Sequence, residues 1–169
     1  MPPPRGSALI VPAFSARYRT MAAEDWTLFL TPIAARGRWS DTAPFAAQPD
    51  PGTGPIAAMT RATVKPGAAL RFWSRVPDIS AVIGADRNVL FKIGIGEVPL
   101  LHQVTFSIWP DADSMAAFAR TPDGPHAQAI RAVRDGDWFR EELYARFRIA
   151  GEAGSWDGRS PRILQEQAA

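Results

Sequence analysis

The 169-residue sequence predicts an α+β fold: a ferredoxin-like unit, with an antiparallel sheet and helices on one face, preceded by the remnant of a similar unit. Three observations predict it. From Ile56 onward the apolar pattern reads β-α-β-β-α-β. The segments starting at Thr27 and Tyr144 lie 117 residues apart, and each runs from a strand through a short loop into Gly-x-Trp, at Trp39 and Trp156. The composition, 46% hydrophobic and 21% charged, is globular, and the chain is long enough to bury a sizeable core.

Taken in order, residues 1–12 open with Pro2, Pro3 and Pro4 and are expected to form a disordered N-terminus. Residues 13–55 are expected to hold the first-unit remnant and a linker. Trp26 to Leu30 is rich in aromatic and β-favouring residues and reads as a strand. Pro49, Pro51, Gly52, Gly54 and Pro55 then mark an exposed loop. The second unit spans 56–157. Ile56 to Val64 reads as a strand ended by Lys65-Pro66-Gly67, and Ala68 to Ile83 as an amphipathic helix kinked at Pro77. Val89 to Gly96 and Leu101 to Trp109 alternate as strands. On the second of these, His102, Val104, Phe106 and Ile108 share the more apolar face. Asp113-Ser114 is expected to cap a helix, and a second helical stretch starts at His126, after the break at Thr121 to Pro125. Trp138 to Tyr144 is expected to be a short helix, Ala145 to Ile149 the last strand, and 158–169 a disordered tail.

Composition excludes several chemistries. With no cysteine there is no disulfide framework, thiolate-ligated metal or haem, or Cys nucleophile. No run of 18 apolar residues exists, and Met1 to Gly6 does not read as a secretory signal. The pI near 9.5 accompanies a net charge of only +2, because Lys65 and Lys92 are the only lysines and the other basic residues are arginines, which stay charged. Those arginines are scattered, so no nucleic-acid footprint appears. A mildly basic surface near lipid or an acidic partner remains compatible.

The sequence has two histidines, the side chain whose reference pKa lies nearest neutrality. His102, on a strand, is read either as a core histidine or as a polar contact to a bound group. His126 is read either as a surface residue opening a helix or as an axial metal ligand held rigid by Gly124-Pro125. No zinc spacing, phosphate loop or nucleophile elbow is present: Gly94-x-Gly96 follows a strand but precedes no helix. Glu141 and Glu142 read as a solvated face. Trp73, Trp109 and Trp138 read as core or as the wall of a long apolar pocket.

The run Asn88 to Pro99, followed by His102-Gln103-Val104-Thr105-Phe106-Ser107-Ile108-Trp109-Pro110, resembles the spheroidene monooxygenase family. So do Ala57 to Thr63, Phe72-Trp73-Ser74-Arg75-Val76-Pro77, Pro125 to Arg134, and Trp138-Phe139 with Glu141 to Phe147. Ala16 to Arg19 and Ala35 to Trp39 match as well, so the resemblance covers about 14–157.

The resemblance implies a two-unit fold of the dimeric α/β barrel type. It also implies a haem-dependent monooxygenase that places a keto group at C2 of an acyclic carotenoid, converting spheroidene to spheroidenone in a photosynthetic bacterium. Oxygen is the oxidant and a reduced ferredoxin-type protein the electron donor. By analogy with haem proteins of this fold, His126 is the axial ligand, and Arg131 or Arg61 pairs with a propionate. His102 or Gln103 would hydrogen-bond bound oxygen, and Trp73, Phe91, Phe106 and Trp109 would line the apolar groove. A cytoplasmic location with peripheral contact to the inner membrane, and a homodimer, are also expected. Family members carry more chain ahead of Phe14, and Met1 to Ile10 is unlike them, so an N-terminally shortened form is expected. Two rivals are a non-catalytic carotenoid- or haem-binding or dimerisation module and a cofactor-free oxygenase of the same barrel type.

Overall fold

The computed structural model describes residues 20–74, 88–98, 101–120 and 136–159. Five strands form one antiparallel sheet: β1 (Trp26–Gly37), β2 (Ile56–Val64), β3 (Phe91–Val98), β4 (His102–Trp109) and β5 (Phe139–Gly154). Their spatial order is β1-β5-β2-β4-β3. Within the segment beginning at Ile56, the fourth strand lies beside the first, and the third beside the second. This is the ferredoxin-like order, with β1 added outside β5.

A 3-10 turn, Pro66–Ala68, leads from β2 into a helix over 69–74, and a second helix spans Ala112–Arg120. Its cap differs from the sequence expectation. Asp111, not Asp113, accepts the N–H of Ser114 at 2.6 Å, which places the N-cap two residues earlier. The expected continuation of the first helix to Ile83, the break before Pro125 and the stretch from His126 lie outside the described residues.

The largest correction is β5. No helix forms over 138–144; one strand of 16 residues runs from Phe139 to Gly154. The reason is a period-2 pattern that runs beyond the expected strand from Ala145 to Ile149. Leu143, Ala145, Phe147 and Ile149 are buried on one face and alternate with Glu142, Tyr144 and Arg146. β5 pairs on both edges, with β1 and β2, and this pairing overrides the helix propensity of Glu141-Glu142-Leu143. β1 likewise extends beyond Leu30 to Gly37, passing Pro32.

The 117-residue repeat becomes an approximate two-fold relation between β1 and β5. Each strand carries a bulge, where Ile33 and Ala150 are left without partners, and these residues also stand 117 apart. Each strand ends in a positive-φ glycine, Gly37 at 92° and Gly154 at 80°. Each glycine is followed by a small bridge, Trp39 to Thr42 and Trp156 to Arg159. A Cβ on Gly37 would lie 2.0 Å from the Glu142 carbonyl oxygen, and one on Gly154 would lie 2.0 Å from that of Asp25. Only glycine fits either corner.

Ala57, Ile108, Ala145, Phe147 and Ile149 form the main core, with Met59, Phe91 and Phe106 packed against it. β1 and β3 are opposite edges of the sheet, yet the rings of Trp26 and Phe91 lie 4.8 Å apart. The sheet therefore curls enough for its edges to meet through aromatic side chains. A second cluster joins Val64, Ala68, Phe72 and Trp138. No helix among the described residues is long and apolar enough to cross a membrane.

Candidate active site

Register brings the polar candidates together. On β2, Thr63 pairs with His102 of β4 on one side and with Glu141 of β5 on the other. Arg61 stands two residues back on β2, and its row holds Val104 and Leu143. A period of two puts all of these side chains on one face of the sheet. The Arg61 side chain is 2% exposed, and its fork spans the row ahead of it. Nη1 donates to Glu141 Oε1 at 3.0 Å, and Nη2 lies 3.4 Å from Nδ1 of His102. The guanidinium also sits over the Trp39 ring, 4.7 Å from its centroid.

Glu141 links this row to the β1 corner. Its two carboxylate oxygens accept the backbone N–H groups of Ser40 and Asp41, at 3.0 and 2.9 Å. These hydrogen bonds, followed by that from Arg61, hold its carboxyl below the usual range. Glu141 was expected on a solvated face; it is instead the partner of a buried cation, and a lone buried Arg61 charge would be costly. Trp39 was not expected at this site. Both were findable. Extending the repeat three residues toward the N-terminus aligns Glu24 with Glu141, and Glu24 holds the other corner in the same way, through Ser155, Asp157 and Gly158.

Beyond Arg61 the same face becomes apolar. Successive rows hold Val104 with Ile95, Met59 with Phe106 and Ile93, and Ala57 with Ile108 and Phe91. From His102 to Ile108 the track is roughly 20 Å long at about 3.3 Å per residue. It grades from fully buried Ile108 to exposed Ile95.

The other expected residues fall elsewhere. Gln103 alternates with His102 and so faces the opposite side, with its amide over Gly94, so the two cannot bracket one oxygen atom from the same face. Trp109 is also on that side. It is 3% exposed, donates to Ser107 at 3.0 Å and packs on Phe118, which makes it a core residue. Trp73 packs with Phe72 in the second cluster. His126 and Arg131 lie outside the described residues.

The described residues do not fit a haem. Arg61 is already neutralised by Glu141, so a propionate would have to displace that carboxylate. His102, the one described histidine, turns Nδ1 toward a group that can only donate, whereas a ligating imidazole ordinarily donates from its second nitrogen. No cluster of three or more His, Asp or Glu suited to a metal occurs among the described residues.

No protein-family model matches the chain. It is 54% identical over 160 residues to a spheroidene monooxygenase of Rhodobacter capsulatus, covering 90% of this chain and 66% of the relative. It is 55% identical over 146 residues to one of Cereibacter sphaeroides, covering 86% and 45%. It is 37% identical over 142 residues to one of Rubrivivax gelatinosus, covering 84% and 54%. The chain thus spans about half to two thirds of the length of these curated relatives. Among solved structures, a putative monooxygenase of Fusobacterium nucleatum superposes with a TM-score of 0.55 at 13% identity, covering 85% of this chain and 61% of that one. A conserved protein of Methanosarcina mazei superposes with a TM-score of 0.50 at 12% identity, covering 58% of this chain and 95% of that one. At such identities the likeness is one of fold.

Proposed function

The chain belongs to the spheroidene monooxygenase family, and from that premise we propose that it is a monooxygenase acting on an acyclic carotenoid. The observation that carries the reading is the single sheet face that is polar at one end and apolar along the rest. A long hydrocarbon suits the track of Val104, Phe106, Met59, Ile93 and Phe91. Its end would then lie near His102, where a polar group is available to the oxygen being transferred. Oxygenation near a chain end, as in conversion of spheroidene to its C2 ketone, matches that layout.

In this reading the apolar rows bind and orient the polyene and exclude water, and His102 offers a hydrogen bond at the polar end. Phe91 and Phe106 line the track; Gln103, Trp73 and Trp109 do not. Each oxygen molecule consumed requires two electrons, which a reduced ferredoxin-type donor would supply. Haem would supply the oxygen-activating chemistry when bound. Arg61 and His102 do not fit it, so on this chain it would have to be held by His126, with Arg131 as the propionate partner. Substrate delivery from the inner membrane and a homodimer complete the proposal.

The test is incubation of the protein, supplied with haem, with spheroidene, oxygen and a reduced ferredoxin-type donor, followed by mass analysis of the carotenoid. An oxygenated product bearing a C2 ketone is expected. Unchanged spheroidene with a haem-loaded protein and an active donor refutes the reading. Oxygenation by haem-free protein refutes only the cofactor assignment.

A further inference from the structure

We propose that Arg61 is a positioning residue that locks His102 in the tautomer carrying its proton on Nε2, and that the turn after β1 holds Arg61 in place. A guanidinium has five N–H donors and no acceptor, so the atom it meets on His102, Nδ1 at 3.4 Å, must be the unprotonated nitrogen. In the neutral ring the proton then sits on Nε2, which can only donate. His102 thereby becomes a hydrogen-bond donor and is unsuited to ligate a metal through Nε2. Resting on the oxygenase reading, this names what His102 does there: it donates from Nε2 to an oxygen atom.

Glu141 and Trp39 keep Arg61 from leaving. Glu141 takes Nη1 at 3.0 Å, and Trp39 supports the flat face of the guanidinium at 4.7 Å. Glu141 and Trp39 are themselves joined, because the Glu141 carboxylate accepts the N–H groups of Ser40 and Asp41, in the turn that Trp39 opens. The Trp39 N–H reaches the Thr42 carbonyl at 2.8 Å and closes that turn. The N-terminal repeat therefore contributes to the second unit's polar site. Lys at position 61 would not substitute, since one ammonium cannot present a planar fork to Glu141 and His102 together.

The test is nitrogen NMR of the full chain with labelled histidine. The sequence has two histidines, so His126→Gln assigns the signals. With the imidazole neutral, His102 is expected to show a bare Nδ1 and a protonated Nε2 as essentially the only form. In Arg61→Met/Glu141→Gln, which removes the cation and its counter-charge together, a mixture of tautomers is expected. A wild-type spectrum with the proton on Nδ1 overturns the proposal even if the double variant fails to fold. A folded double variant that keeps the single Nε2–H form overturns it too. In carotenoid turnover the double variant should lose kcat by about tenfold with KM little changed; unchanged kcat overturns the positioning role. The spectra need no substrate or cofactor, so inactive wild-type protein with the expected spectrum would count against the oxygenase reading and leave the tautomer lock supported.

Discussion

Gly37→Ala tests the corner on which the site leans. The new Cβ would sit 2.0 Å from the Glu142 carbonyl oxygen, at least 1 Å inside the closest approach that real Cβ atoms make. The atom it meets is backbone, so no side chain can swing aside. Two costs combine. A non-glycine residue at a φ of 92° costs about 1–2 kcal/mol. Relieving the clash moves β1 away from β5 and breaks the 2.8 Å bond from the Arg38 N–H to the Glu142 carbonyl, about 1–2 kcal/mol more. The total is about 2–4 kcal/mol, or a fall in Tm of roughly 4–16 °C for a chain of this size. Gly154→Ala meets the same 2.0 Å approach against Asp25 and should cost the same to within about 1 kcal/mol. Gly158→Ala is the control: its φ is 70° but nothing lies within 4 Å, so only the backbone cost of about 1 kcal/mol applies. Thermal and urea unfolding of the three variants decides the matter. If Gly37→Ala loses no more stability than Gly158→Ala, the close approach does not exist and the two-fold relation built on it fails.

Further expectations concern charge and core. Glu141 has a folded pKa depressed below 4.5, so its stabilisation is fully present above about pH 4.5 and is lost as pH falls through the depressed value. Glu141→Gln should therefore be less stable than wild type at pH 7, with the gap closing in acid; a gap independent of pH contradicts the assignment. The Tyr144 phenol is pushed up to about 12, first by burial and then by the Glu142 carboxylate it donates to, against the opposing charge of Arg36. In a Tyr18→Phe background its ultraviolet titration should stay flat to beyond pH 10, and Glu142→Gln should lower the midpoint. Ile108→Ala, at a fully buried position, should cost about 3–4 kcal/mol in urea unfolding, against about 1 kcal/mol for Ile108→Val.

What the sequence made legible follows the physics of each signal. Strict alternation in β4 located His102 and its apolar face, because a half-buried strand writes its faces directly into residue order. β5 was cut short because Glu141-Glu142-Leu143 has helix propensity, and its pairing with β1 and β2 is a non-local fact. The loop over 41–55 read as exposed from its prolines and glycines. Yet Phe45 packs on Phe147 with ring centroids 5.0 Å apart, and Asp50 takes the buried Arg148 guanidinium at 2.7 and 3.0 Å. Composition carries no trace of such tethers. Arg61 was singled out for a propionate; the carboxylate that claims it stands 80 residues away in sequence, beyond any local pattern.

The two corners explain why one repeat end sits in a polar site and the other does not. Both present a tryptophan after a positive-φ glycine, and in both a glutamate holds the turn, Glu141 of β5 at one corner and Glu24, just ahead of β1, at the other. What differs is the neighbour. Trp39 meets Arg61 of β2, which brings Glu141 and His102 with it. Trp156 meets Trp26 and Phe91, at 6.5 and 5.4 Å, and stays 44% exposed. The same backbone device thus sets a cation beside one indole and an aromatic cluster beside the other. Exchanging the character of one neighbour should separate the roles. Phe91→Ala is expected to weaken the aromatic closure between the sheet edges and leave the His102 tautomer unchanged, whereas Trp39→Ala is expected to loosen Arg61 and mix the tautomers. If both variants alter the His102 spectrum equally, the corners are not independent and the polar site extends across the whole face.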